Sequence, residues 1–175
     1  MNPKWITSLL AMSLWLGPTP AATAGQSTAQ MNVSLTVGSP SVTVSVTPMN
    51  FGSLGGQGTA TGTSTITVNA PQGTPYTVLM NRGSNAGFAG SDPTKRYVSA
   101  LQVTPTPPPI PYNLYTDLNH TVIWGDGGLT IPGSGVPGNG AGVNQTLTVF
   151  GLTGAQPTVP PAGTYSDVVT VTVTF

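Results

Sequence analysis

Tyr165-Ser166-Asp167-Val168-Val169-Thr170-Val171-Thr172-Val173-Thr174-Phe175 is the stretch that decides the fold. Val169, Val171, Val173 and Phe175 fall on one face and Thr170, Thr172 and Thr174 on the other, the period-two alternation of a half-buried strand. A strand this regular needs a neighbour on each side, because an apolar edge left open pairs with other chains. One comparable run lies near the other end: Met31, Val33, Leu35 and Val37, separated by Asn32, Ser34 and Thr36. The expectation is that this second run fills the groove beside the first, but between molecules.

The intervening chain reads as strand and turn. Glutamate is absent, and 23 Gly and 18 Pro interrupt almost every ten-residue window, which argues against helix. Alternating Val and Thr runs separated by turn residues predict an all-β sandwich. Strands are expected over Ser41–Phe51, over Thr63–Asn69 with Ile66 and Val68 inward, and over Thr74–Asn81 with Tyr76, Val78 and Met80 on one side. Further strands are expected over Tyr97–Thr104, Tyr112–Thr116 and Gln145–Leu152. Pro71-Gln72-Gly73 and Asp117-Leu118-Asn119 are turns. Pro105–Pro111 is an extended spacer, and Gly125–Gly142 is a long glycine-rich loop, either functional or mobile. The break at Gly38-Ser39-Pro40 is too short to cross a sandwich, so the run before it forms a hairpin with the next strand or projects from the domain.

Residues 1–24 read as a secretory signal. Met1–Lys4 carry positive charge, Trp5–Leu16 are apolar, and Ala22-Thr23-Ala24 is a small-residue cleavage site. The apolar run is too short to span a bilayer. Residues 25–175 then hold Arg82, Lys95 and Arg96 against Asp92, Asp117, Asp126 and Asp167. A basic footprint for nucleic acid is absent, as is the charge excess that keeps soluble monomers apart. A Thr-, Ser-, Asn- and Gly-rich surface fits a chain that associates. No cysteine is present, so disulfide and thiol chemistry are excluded.

Catalytic constellations are missing. His120 is the only histidine and sits in a turn-like context that reads as a solvent-facing loop. Asp117 and Asp126 are too few for a calcium or other metal site and read as turn and cap residues. No carboxylate pair stands apart as a glycosidase dyad, and no nucleophile-elbow spacing occurs. Trp124, Tyr112 and Tyr115 suit a core better than an aromatic sugar platform. Lys95-Arg96, the only local charge cluster, reads as a solvated rim. The expectation is a non-enzyme with no cofactor and no metal.

Four segments in order carry a family resemblance. They are Thr47-Pro48-Met49-Asn50-Phe51-Gly52, Tyr112-Asn113-Leu114-Tyr115-Thr116-Asp117, Ile123-Trp124-Gly125-Asp126-Gly127 and Pro161-Ala162-Gly163-Thr164-Tyr165-Ser166-Asp167. With the alternating run at each end, they resemble the spore coat protein U domain of pilus subunits from the archaic chaperone–usher pathway. The resemblance implies an incomplete immunoglobulin-like β-sandwich lacking its last strand. It implies a periplasmic chaperone that lends a strand, and an outer-membrane usher where the N-terminal extension of another copy replaces it. The product is a head-to-tail extracellular fibre for adhesion and biofilm. Residues 25–38 would be that extension, with Met31, Val33, Leu35 and Val37 as the inserting side chains, and residues 39–175 the accepting domain. The acceptor groove and chaperone-binding strand would be Val169, Val171, Val173 and Phe175.

Members of the family often carry a disulfide between the first and second strands. The resemblance puts those positions at Val42 and Ala70, both apolar here. Two other classes stay open on the residues alone: a secreted monomeric carbohydrate-binding sandwich, and a coat protein that assembles without donating strands.

Overall fold

Two antiparallel sheets carry the fold. They are seen in a computed structural model of the chain that describes residues 30–36, 38, 41–88, 90–101, 104, 106–156 and 158–175. The signal at residues 1–24, the start of the extension at 25–29, and Val37 lie outside the described residues. The strands are β1 (Thr43–Val46), β2 (Thr61–Asn69), β3 (Pro75–Met80), β4 (Arg96–Leu101), β5 (Ile110–Tyr115), β6 (Val136–Asn139), β7 (Asn144–Thr153), β8 (Thr164–Ser166) and β9 (Val171–Thr174). One sheet runs β1-β2-β7-β5-β4-β8 and the other β6-β3-β9. No helix occurs among the described residues.

Residues 38–175 form one unit around a single core. Ile66, Val68, Val149, Tyr112 and Leu114 of the larger sheet meet Tyr76, Val78 and Met80 of the smaller one, with Trp124 between them. The expected inward residues of the second and third strands are therefore core residues. The turn joining those strands closes through Thr74 N donating to Pro71 O at 3.1 Å, with Gly73 at a φ of 80° that suits glycine. It is a corner between sheets, since β2 and β3 belong to different ones. Residues 30–36 carry no strand, and Met31, Val33 and Leu35 are 87%, 86% and 87% exposed.

Three expectations need correction. The final strand is split: β8 pairs with β4 in the larger sheet, and β9 pairs with β3 in the smaller one. Alternation runs on through the crossing because each part still keeps one face toward the core. The glycine-rich loop contains β6, which pairs with β3 from Val136 to Asn139. Arg96 is 0% exposed rather than on a rim, while its neighbour Lys95 stays outside and pairs with Asp92 at 3.3 Å. Lys95 precedes β4, whereas Arg96 opens it and is drawn inward by the carbonyls of Met80, Asn81 and Trp124.

The aspartates at 117 and 126 act as loop caps with the same set of bonds, although the two loops differ in backbone: the positive φ falls at His120 in one and at Gly127 and Gly128 in the other. Asp117 accepts from Thr121 N, Thr121 Oγ1 and Val122 N at 2.8–3.1 Å. Asp126 accepts from Thr130 N, Thr130 Oγ1 and Ile131 N in the same pattern. The Val122 N–H is the largest influence lowering the Asp117 carboxyl. At Asp126 burial pushes the carboxyl up, but the Thr130 hydroxyl and the Thr130 and Ile131 N–H groups outweigh it. Asp92, bonded by the Thr94 hydroxyl and N–H, is held at about 2. His120 adopts the turn's left-handed φ of 55° and meets Tyr115 edge-on at 5.2 Å.

The β1–β2 register places Thr43 opposite Asn69, so one further step sets Val42 opposite Ala70. Thr47 N donates to Thr65 O in the same register, which makes 42 and 70 a non-hydrogen-bonded pair with close Cβ atoms. Val42→Cys with Ala70→Cys is expected to oxidise to a disulfide worth ~3 kcal/mol. The check is a higher denaturation midpoint that falls back on reduction.

The three lowered carboxyls fix the sign of the acid response. Each contributes stability above its unfolded value, about pH 4, and loses it as pH falls through the lower folded value. Denaturation midpoints should drop between about pH 4 and pH 2. Asp117→Asn and Asp126→Asn together should flatten that drop.

Candidate functional site

The sandwich is open between β1 and β9. Hydrogen bonds in an antiparallel pair alternate, so each strand's residues point their backbone groups to one neighbour or the other in turn. Asn81 N donates to Thr170 O at 3.2 Å, which fixes the phase of the β3–β9 ladder. Val171 and Val173 then direct N–H and C=O away from β3, toward the free edge. Thr47 N donating to Thr65 O at 2.9 Å fixes the phase of β1–β2. Val44 and Val46 likewise direct their backbone groups away from β2. Neither β1 nor β9 has a second strand neighbour among the described residues.

The side chains report the same opening. Val44 lies opposite Val68 and Val46 opposite Ile66. Cross-strand partners share a face, and both partners are fully buried, yet Val44 is 42% and Val46 48% exposed. The inner face of β1 therefore lacks the layer that covers β2. A cleft of about 1060 Å³ occupies that place. Val46, Met49 and Phe51 form one wall, and Ile66, Met80, Leu114 and Val149 lie beneath. Residues 160–169 and Val171 form the other wall.

Of the residues expected to border the groove, Val169 and Val171 line the cleft. Val173 is half-buried against the core, and Phe175 is 63% exposed. Met31, Val33 and Leu35 belong to the separate leading segment, and Val37 lies outside the described residues. The aromatic platform is not formed: Trp124 and Tyr112 are buried, and Trp124 Nε1 donates to Val78 O at 2.9 Å. No group of three or more metal-ligating side chains occurs among the described residues.

Two polar side chains behind the cleft went unrecognised in the sequence. Arg96 donates through Nε to Asn81 O at 2.8 Å and through Nη2 to Met80 O at 3.1 Å and Trp124 O at 2.8 Å. It thus ties the end of β3 to the segment that follows β5. Burial lowers the guanidinium to about 10, so it stays charged at neutral pH. The other is Asp167, whose Oδ2 accepts from Tyr112 Oη at 2.7 Å inside the cleft. Burial first, then the Asp167 charge, pushes the Tyr112 hydroxyl up, so it remains a donor. The sequence signals for them were position 167 in the Pro161–Asp167 segment and the inward phase of residue 96 on β4.

A two-sheet antiparallel sandwich with an open edge pair over an uncovered core is an incomplete immunoglobulin-like domain. The chain belongs to the Spore Coat Protein U domain family, whose model matches residues 27–172. Among solved structures it is similar to a chain in the CsuC–CsuE chaperone–tip adhesion subunit pre-assembly complex from the archaic chaperone–usher Csu pili of Acinetobacter baumannii. The TM-score is 0.54 at 20% identity, over 78% of this chain and 40% of that one. The match thus spans less than half of the longer neighbour. No curated protein matches the chain.

Arg96→Ala orphans three carbonyl acceptors and is expected to cost about 3 kcal/mol or more. Arg96→Lys should recover less than half, since an ammonium lacks the planar fork. Urea midpoints of the three proteins check both.

Proposed function

We propose that the chain is a structural, non-enzymatic subunit of an extracellular adhesive pilus that polymerises by donor-strand complementation. The observation that carries this reading is the pair of free backbone edges on β1 and β9 flanking a cleft over the core. An added strand satisfies both edges and covers Val44 and Val46, which is β-strand addition in its general form. Residues 25–38 are the donated extension and residues 39–175 the accepting domain. Met31, Val33, Leu35 and Val37 alternate at the two-residue period that a groove reads.

Burying four such side chains contributes about 6–12 kcal/mol. Ordering seven or eight residues costs about 1–2 kcal/mol each. The side chains alone roughly break even, and the newly paired backbone tips the balance. Such a contact is heterologous and does not close on itself, so it propagates as a filament.

The solved neighbour is a chaperone–subunit complex from a chaperone–usher pilus. That similarity supports export through the periplasm, a chaperone that shields the open edge, and an usher where copies exchange strands. Display on the cell surface for attachment and biofilm follows from the same reading.

Leu35→Asp should be exported but fail to polymerise, because a carboxylate cannot enter an apolar cleft unpaired. The measurement is electrophoresis in detergent with and without boiling. Wild-type material should give a ladder that collapses only on boiling, and the variant a monomer band. A full ladder from Leu35→Asp would overturn the reading.

A further inference from the structure

Residues 166–170, where the terminal chain leaves β8 and enters β9, are held by side chains as well as by the backbone bonds of Asn81 N to Thr170 O and Ser84 N to Val168 O. Asn81 Oδ1 accepts from Thr170 N at 2.9 Å. Ser84 N donates to Val168 O at 3.0 Å, and Ser84 Oγ accepts from Val168 N at 3.3 Å. Asn85 Nδ2 donates to Ser166 O at 2.7 Å and to Tyr97 O at 3.1 Å. Loop 81–85 thus does the work of a neighbouring strand along one side of the crossing and leaves the other side open.

Asp167 sits at the centre of this clasp. Its Oδ1 accepts from Ser84 N at 2.9 Å, Ser84 Oγ at 2.9 Å and Asn85 N at 3.1 Å. Its Oδ2 accepts from Tyr112 Oη at 2.7 Å. The carboxylate therefore joins loop 81–85, which follows β3, to β5 of the opposite sheet. Position 83 makes room for it: a Cβ on Gly83 would collide with the Asp167 carboxylate, and the φ of 91° there disfavours any side chain.

We infer that Asp167 is the positioning residue of the acceptor edge. It fixes where the chain changes sheets, and so holds the outward N–H and C=O groups of Val169 and Val171 in place across the cleft from β1. This rests on the strand-accepting reading above and adds a residue of the cleft wall whose bonds hold the edge that a donated strand pairs with. Charge-assisted bonds from three backbone and hydroxyl donors and one phenol are stronger than the neutral bonds around them. Removing the carboxylate frees residues 166–170 while leaving the β2–β7 ladder intact.

The test uses purified chain of residues 25–175 and a fluorescent peptide of residues 30–38. It reads peptide association together with amide hydrogen exchange. Asp167→Ala should slow association about tenfold or more and speed exchange at the paired amides among residues 168–173, namely Val168, Thr170 and Thr172, with β2 and β7 amides as protected as in wild type. Ser84→Ala should show a smaller loss in the same direction. Ser84 does not line the cleft, so its effect must pass through Asp167 and Val168. Wild-type association in a folded Asp167→Ala chain overturns the inference. So does an equal loss of protection in β2 and β7, which marks a merely structural role. If Asp167→Ala does not fold, unchanged association in Ser84→Ala overturns it. A peptide carrying Leu35→Asp separates the two ideas. If wild-type chain binds it as well as the native peptide, the strand-accepting reading fails, and exchange at 168–173 still decides the role of Asp167.

Discussion

An antiparallel strand needs hydrogen-bond partners on both sides or water on one, and the architecture turns on β1 and β9, which among the described residues have no strand neighbour on the side that borders the cleft. β1 and β9 direct alternate backbone groups into one cleft. Their inward valines stand over a core that is otherwise closed. Burial on β2 is complete at Ile66 and Val68, and the half-exposure of Val44 and Val46 directly opposite is the same deficit seen from the side chains. The two deficits have one remedy, because a single extended segment supplies both backbone partners and an apolar layer.

Charge is used almost wholly inside the domain. Arg96 bridges three carbonyls, Asp117 and Asp126 each cap a loop, and Asp167 binds the crossing. Arg82 donates to Lys95 O, Ser91 Oγ and Asp92 O, and Lys95 pairs with Asp92. Each of the seven charged side chains in residues 25–175 is thus engaged within the chain. The outer faces are left to Thr, Ser and Asn, such as Thr43 and Ser45 along β1. Copies can approach with little like-charge repulsion, a liability for a monomer and an aid to a polymer.

Alternation made much of this legible in the sequence. Ile66 and Val68, then Tyr76, Val78 and Met80, were readable as inward because a half-buried strand writes its two faces at period two. Alternation does not say which sheet a strand joins. Tyr165 of β8 is in phase with Val169, Val171 and Val173 beyond the crossing, so the split of the final strand left no mark. β6 is defined by pairing with β3, not by apolar side chains, and Val-Pro-Gly-Asn reads as turn. Arg96 was hidden for a different reason. Arginine is seldom fully buried, and what overrides that tendency is three carbonyls supplied by segments distant in sequence. Val169 and Val171, which line the cleft, are legible as an alternating apolar face, while the bonds from Asn81, Ser84 and Asn85 have no periodic signature.

A sandwich of two open sheets has four edge strands, and only two of them are fit to receive another. β8 is three residues long, too short to template a partner. On β6, Gly140 N donates to Thr74 O, which sets the phase so that Pro137, opposite Thr77, faces outward. Proline has no N–H, so that edge lacks a donor where a new strand would need one. β1 and β9 carry no such block within their strands, and they border the same cleft. Closing two edges and leaving two that face one another confines strand addition to a single place. An open edge is ordinarily a route to aggregation; here the placement of Pro137 and the brevity of β8 narrow it to one accepting place per copy, as the proposed head-to-tail filament requires.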